Sequence, residues 1–337
     1  MRLVSRSRVP LFLAGLVGLL LVAGFLSIGF GATSLDLWGA FDGTAAVDRL
    51  VLLHERLPRT VLAALVGAAL SVAGLVFQAV LANPLADPYV IGVAGGAALG
   101  GSLAMVLPGM VLLGHAGVSV AAFLGGLGAV ALTWRLSRDR RGRMRAYEVL
   151  LVGVVFNTFA SAAIMFLKSV VRAEKAQVML LWLMGTLSSD VRGPGALLVT
   201  LAIVVFALGL LFVSAPSLNA LALGDEDAAS VGVDPARTTR RAFLAGSLLV
   251  AAAVSVAGMI GFVGLIVPHA VRSLVGSDHR VTIPASALLG AVFLVLADLL
   301  TRLLFPVFET EAPVGVLTAL VGGPAFIWLL KRGGDRA

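Results

Sequence analysis

Long apolar stretches broken by short polar or charged segments run through the whole chain. Residues 9–30, behind Arg2, Arg6 and Arg8, are almost wholly apolar. That run is longer than the roughly 7 to 15 apolar residues of a secretory signal, so it predicts a retained first membrane helix. The segment 31–55 is polar and acidic, with Asp36, Asp42, Asp48 and Glu55. Further apolar runs follow at 57–81, 90–107, 118–134, 148–171, 196–213, 243–256, 261–269, 283–304 and 314–330. Most approach the roughly 20 residues that cross a hydrocarbon layer. Residues 178–187 are apolar but too short to span, and predict a short helix lying against the bundle. The pattern is that of an all-α polytopic membrane protein with about ten crossings and both termini on the same side.

Proline breaks this pattern at two places. Asn83-Pro84-Leu85-Ala86-Asp87-Pro88 turns the chain between the second and third crossings, because proline lacks an amide hydrogen and pushes its predecessor out of helical geometry. Gly261 to His269, with Pro268, predicts a short proline-ended helix, followed by a loop over 270–280. Sliding the chain by 184 residues lays Leu65-Val66, Ala68-Ala69 and Ser71-Val72-Ala73-Gly74 on Leu249-Val250, Ala252-Ala253 and Ser255-Val256-Ala257-Gly258. The first copy runs outside to inside and the second inside to outside. This is an inverted internal repeat, helices 2–5 against helices 7–10, a construction used by transporters.

Composition closes off the soluble alternative. With 59% hydrophobic and 13% charged residues and a mean hydropathy of +1.04, too few polar side chains exist to cover a globule. The net charge of +7 follows the loops: 17 of the 25 Lys and Arg fall in segments assigned inside, while the 18 acids divide evenly. A bias confined to basic residues is the positive-inside pattern. Residues 135–145, with six arginines, fit a cytoplasmic loop and lack the interleaved aromatics of a nucleic-acid patch.

Other chemistry is scarce. There is no cysteine, and His54, His115, His269 and His279 are dispersed, so no metal-ligand spacing exists. Lys168, Lys175 and Lys331 are never preceded by glycine, which excludes a Walker A loop. No converging catalytic set is present, so an enzyme is not expected. An ion-coupled secondary transporter needs intramembrane acids; Asp298 is the main candidate, four residues before Arg302 on one helix face. Gly92, Gly96 and Gly100, and Gly67 with Ser71, form small faces for close helix packing. Within the polar segment 214–241, Asp225, Glu226 and Asp227 suit a helix N-terminus and Gly232 suits its end. Leu223, Ala228 and Val231 would share one small apolar face, either a docking device or a solvated connector.

Several motifs, in order, carry a resemblance. Arg56-Leu-Pro-Arg59, the run 74–88 with Phe77-Gln78 and Asn83-Pro-Leu-Ala-Asp-Pro88, Leu183-Met-Gly-Thr-Leu187, Gly224-Asp-Glu, Gly261-Phe-Val-Gly-Leu-Ile-Val-Pro-His269, Asp278-His-Arg280, Ala297-Asp298 with Arg302, and Pro313-Val-Gly315 through Trp328-Leu-Leu resemble the FecCD family of ABC importer permeases. That family handles ferric siderophores, haem and vitamin B12. Ala312 departs from the larger aliphatic residue usual there.

The resemblance implies a type II ABC importer permease fold with residues 1–337 as one transmembrane domain. It also implies a homodimer in the bacterial cytoplasmic (inner) membrane, two cytosolic ATPase subunits that bind ATP and magnesium, and an extracytoplasmic binding protein that delivers a metal chelate. The chain itself would bind no cofactor, metal or nucleic acid. Matched residue by residue, Arg56, Arg59 and Arg302 are implied to receive acidic residues of the binding protein, and Asn83 and Leu85 to form the cytoplasmic gate. Gly224, Asp225, Glu226, Ala228, Ala229, Val231 and Gly232 would seat in an ATPase groove. Asn157, Thr158 and Ser161 are path-lining candidates. Ordinary readings stand beside these: Arg302 pairs with Asp298, Arg56 and Arg59 snorkel, and the fifth-helix hydroxyls and amide bond between helices.

Overall fold

Polar caps and prolines decide where the apolar runs become helices. A computed structural model of the chain describes residues 6–31, 33, 35–107, 114–138, 144–187, 193–305 and 309–334, and all regular structure among them is helical. In chain order the helices are α1 (Val9–Gly29), α2 (Leu37–Asp42), α3 (Ala46–Val51), α4 (Leu57–Val80), α5 (Val93–Val106), α6 (Gly114–Leu136), α7 (Ala146–Val170), α8 (Ala173–Leu183), α9 (Gly193–Val213), α10 (Ala215–Leu221), α11 (Asp225–Ser230), α12 (Pro235–Ala257), α13 (Val263–Val275), α14 (His279–Leu303) and α15 (Val314–Gly334). Seven of the described helical segments are long and apolar enough to cross a membrane, and the shorter apolar helices α5, α13 and α15 bring the count to ten. Below, the inner end of the bundle is the one that the charge bias assigns to the inside.

Three boundaries differ from the sequence expectation, each for a local reason. First, α12 begins at Pro235 instead of 243, because the Asp234 carboxylate accepts the Arg237 amide at 3.0 Å and Pro235 needs no donor partner in the first turn. Second, α13 does not stop at Pro268 but continues to Val275, which shortens the expected loop over 270–280. Proline at 268 leaves the Gly264 carbonyl without its helical donor, and Gln78 Nε2 supplies one from α4 at 3.2 Å. Third, the short helix before α9 lies at Ala173–Leu183 instead of 178–187; Gly185, at φ +78°, lies just beyond its end. The acidic segment 31–55 also folds into α2 and α3, with Asp36 accepting the Gly39 amide at 3.0 Å to cap the first.

At the centre stand α4 and α12, the two most buried spans. α4 packs on α14, α12 and α13, while α5 lies along α6. These approaches depend on the absence of side chains. A Cβ on Gly67 would strike the Gly290 backbone of α14, one on Gly74 the Gly264 backbone of α13, and one on Gly100 the Ala121 backbone of α6. The small faces expected at Gly67/Ser71 and Gly96/Gly100 are therefore packing faces. Gly92 has a different role, adopting φ +95° just before α5.

The repeat is visible in the backbone. Each half has a long helix (α4, α12), a break and a short helix (α5, α13), and the residue before each short helix is left-handed: Gly92, and Phe262 at φ +69°. The two breaks meet, with Tyr89 Oη donating to the Ile260 carbonyl at 2.8 Å and accepting the Ile260 amide at 2.7 Å. Substituting Gly74 with leucine is expected to push α13 off α4 and cost at least about 1 to 3 kcal/mol, as overpacked cores do. Thermal unfolding of the purified protein in detergent would show a clearly lowered midpoint; an unchanged midpoint would mean that this crossing is looser than described.

Candidate functional site

At the outer end, α4 and α14 bring Arg59, Asp298 and Arg302 together. Arg59 Nε lies 2.9 Å from Asp298 Oδ1 and its Nη1 lies 2.9 Å from Glu311 Oε2, while Arg302 Nε lies 3.1 Å from Asp298 Oδ2. Arg302 also donates to the Ser27 carbonyl at 2.9 Å and to Ser27 Oγ at 2.6 Å, and Ser27 Oγ lies 2.8 Å from Thr60 Oγ1. Arg56 donates to the carbonyls of Ile28 (2.8 Å), Gly29 (3.0 Å) and Thr33. Arg56 and Arg302 thus satisfy the last carbonyls of α1, which a helix C-terminus leaves without partners, and their charge suits its dipole.

The three arginines expected as outward docking groups are gathered here, but each is only 4% exposed and its fork points inward. The Arg302–Asp298 pair expected from four-residue spacing is formed, and neither Arg56 nor Arg59 snorkels to the surface. A small polar cavity of about 40 Å³ is lined by Arg56, Arg59 and Arg302 together with Glu55 and Glu311. Sequence reasoning missed Ser27 and Glu311, which lie 275 residues from Arg302 and 252 from Arg59. The only sequence signal for Glu311 was an acid beside the Pro313-Val-Gly motif.

The break between α4 and α5 is held by its own side chains. Asn83 Oδ1 accepts the Leu85 amide at 2.9 Å and Asp87 Oδ1 accepts the Tyr89 amide at 2.8 Å, two local turns of the kind Asn and Asp favour. These bonds leave Leu85 half exposed, with 51% of its surface free. Burial pushes the Asp87 carboxyl above the usual carboxylate range, with the Tyr89 amide opposing the shift; burial also pushes the Tyr89 phenol up.

The structure separates the three path-lining candidates on α7. Asn157 Nδ2 donates to the Tyr89 carbonyl at 2.8 Å, which fastens the break to α7. Thr158 and Ser161 lie on the exposed face with Val155 and Phe159, and the Thr158 hydroxyl donates to the Val154 carbonyl of its own helix at 2.9 Å.

At the inner end, the expected short helix forms at Asp225–Ser230 with its three acids in the first turn, between Gly224 (φ +118°) and Gly232 (φ +81°). Its orientation corrects the expected face. Ala228 is wholly buried against the chain's own helices, whereas Leu223, Ala229 and Val231 are exposed, Val231 by 69%. Six residues make less than two turns, so the side that turns inward depends on the helices beneath and not on spacing. Beside α11 opens a cleft of about 450 Å³, lined by Trp134, Arg138, Asp225, Glu226, Ala229 and Arg240 among others. Arg138 stacks over the Trp134 ring, 4.4 Å from its centre. No group of His, Asp and Glu that could hold a metal ion occurs among the described residues.

The FecCD transport family matches residues 19–332. The chain belongs to that family. Curated relatives of this FecCD chain include the hemin transport system permease protein HmuU of Yersinia pestis, 39% identical with 97% of each chain covered. Another is the cobalamin import system permease protein BtuC of Halobacterium salinarum, 44% identical over 86% of this chain and 75% of the relative. Among solved structures, one described as an inward-facing conformation of a metal-chelate type ABC transporter superposes with a TM-score of 0.83 at 32% identity, covering 96% of this chain and 99% of the other. The FecCD fold expected from the motifs, an all-helical membrane bundle, is therefore the fold of this chain.

Proposed function

We propose that this FecCD chain is the transmembrane subunit of an ATP-driven importer that carries a bulky metal chelate, of the ferric siderophore, haem or cobalamin class, from a binding protein into the cytoplasm. The observation that carries the reading is likeness along almost the full length to a hemin permease, over a fold shared with a metal-chelate transporter. The chain has no Walker A loop, so ATP and magnesium belong to a separate pair of ATPase subunits. A second copy would cover the exposed apolar face of α7 and place Thr158 and Ser161 along a shared path. Residues 214–241 form the cytoplasmic segment that meets the ATPase, through Leu223, Ala229 and Val231. Asn83 and Leu85 gate the inner end. The arginine bias supports an orientation with both termini in the cytoplasm.

Secondary transport is less well supported by the same site. Asp298 is the main intramembrane acid, and it already faces two guanidinium groups, Arg59 and Arg302, which leaves it poorly suited to bind and release a coupling cation.

Docking of the binding protein follows from the outer cluster in a modified form. An incoming carboxylate would replace Glu311 on Arg59, since Glu311 is the exposed partner of that pair. Glu311→Gln should then tighten binding-protein capture a few fold at low salt, consistent with the modest strength of a partly exposed pair. Capture that weakens or does not change would remove Arg59 from the docking surface. The assembly itself is tested by expressing the chain with its genomic ATPase and measuring the mass of the complex in detergent: two permeases with two ATPases is expected, and a lone permease that binds no ATPase would overturn the proposal.

A further inference from the structure

Asn219 stands in α10, six residues before the start of α11, and its side chain bonds the first residues of α14. Its Nδ2 donates to Asp278 Oδ1 at 2.7 Å, and its Oδ1 accepts the His279 amide at 2.8 Å. His279 Nδ1 lies 2.8 Å from the same Oδ1. An amide oxygen only accepts, so the His279 proton in this contact sits on Nδ1. His279 is buried, and Asp278 also caps α14 by accepting the Arg280 amide at 3.1 Å. Three hydrogen bonds from one side chain therefore fasten α10 to the N-terminus of α14.

The position of these bonds matters more than their number. Beneath Asn219, Ala215 and Leu218 are buried, so α10 is seated, and only Ala222, Leu223 and Gly224 separate it from α11. On the other side, α14 is a single helix of 25 residues, about 37 Å long at 1.5 Å per residue. It is held along α4 by the close approach of Gly67 and Gly290. Near its far end are Asp298 and Arg302, bonded to α4 and α1. One continuous helix thus begins on the segment beside α11 and ends in the outer ion cluster.

We infer that Asn219 is a positioning residue of the transport cycle: with Asp278 and His279 it forms a clasp that hands displacement of the α10–α11 segment to α14, and through α14 to the outer cluster. The inference rests on the proposal that α11 meets the ATPase. A contiguous hydrogen-bonded and close-packed route carries motion only if its joints hold, and this clasp is the joint between the cytoplasmic segment and α14.

The test uses the full complex in vesicles, with cyanocobalamin, ferrichrome and haemin as cargo probes, and measures import per ATP hydrolysed alongside ATPase co-purification. Asn219→Ala and His279→Leu should retain their ATPase partners and hydrolyse ATP, yet import at least about fivefold less per ATP, the lower range of a site-to-site coupling. His279→Asn, whose amide nitrogen can occupy the Nδ1 position, should restore most of the loss. An unchanged ratio in the assembled variants would overturn the inference while leaving the ATPase-contact proposal intact. Loss of folding in both variants would assign the clasp to stability alone and overturn it too. If Val231→Arg leaves ATPase binding untouched, it is the contact proposal that fails, whatever Asn219→Ala does.

Discussion

Replacing Asp298 with leucine is expected to cost about 3 to 5 kcal/mol, because it leaves the buried guanidinium groups of Arg59 and Arg302 facing each other without their shared carboxylate. Glu311 would remain on Arg59, but it is partly exposed and does not reach Arg302 among the described contacts. Removing both charges of the helical pair, in Asp298→Leu with Arg302→Leu, should recover part of the loss, since an apolar replacement of a buried pair is often tolerated. Recovery should be incomplete: Arg302 also holds Ser27 and the end of α1. The measurement is the thermal midpoint and monodispersity of purified permease in detergent. A single variant as stable as the parent would mean that the cluster is solvated, contrary to the burial described.

Val231→Arg is expected to lower capture of the ATPase at least about tenfold, since burying an unpaired charge costs several kcal/mol and each 1.4 kcal/mol is a factor of ten. The permease should still insert and remain as stable as the parent, because Val231 is exposed and touches no core. Ala228→Arg would be a poor probe of the same surface. Ala228 is buried within the chain, so a long cation there would dislodge α11 itself and confuse loss of folding with loss of contact. Co-purification of the ATPase with each variant separates the two. Normal ATPase binding by Val231→Arg would leave α11 a connector.

The helices were legible because crossing a hydrocarbon layer demands a run of apolar residues, and that demand is written locally. Proline by itself does not fix where a helix stops. Pro268 ends a helix only when the orphaned carbonyl has no other donor, and its donor, Gln78, comes from a helix 186 residues away. The acidic segment before α4 concealed α2 and α3, since helices of six residues depend on a cap such as Asp36 and on what they lie against.

The candidate site was legible in its members more than in their directions. Arg56, Arg59 and Arg302 do share one end of the bundle, and spacing announced the Arg302–Asp298 pair, yet nothing local could show that Ser27, Glu311 and the carbonyls of α1 would consume the rest of their donors. Likewise Asn157 is named by the sequence with Thr158 and Ser161 as a candidate to line a path, but its side-chain partner is the backbone of Tyr89, with no periodicity to announce it. Asn219 gave no signal at all in the sequence, because a capping amide 59 residues from Asp278 looks like any polar residue in a loop.

Uptake into sealed vesicles tests the central claim most directly. The permease would be reconstituted with its genomic ATPase and binding protein, ATP placed on the cytoplasmic side, and entry of cyanocobalamin, ferrichrome and haemin followed in the presence of an ionophore that collapses ion gradients. Import of at least one of these chelates that requires ATP, survives the ionophore and vanishes when the ATPase is omitted is the predicted result. Import that proceeds without the ATPase and stops with the ionophore would contradict it.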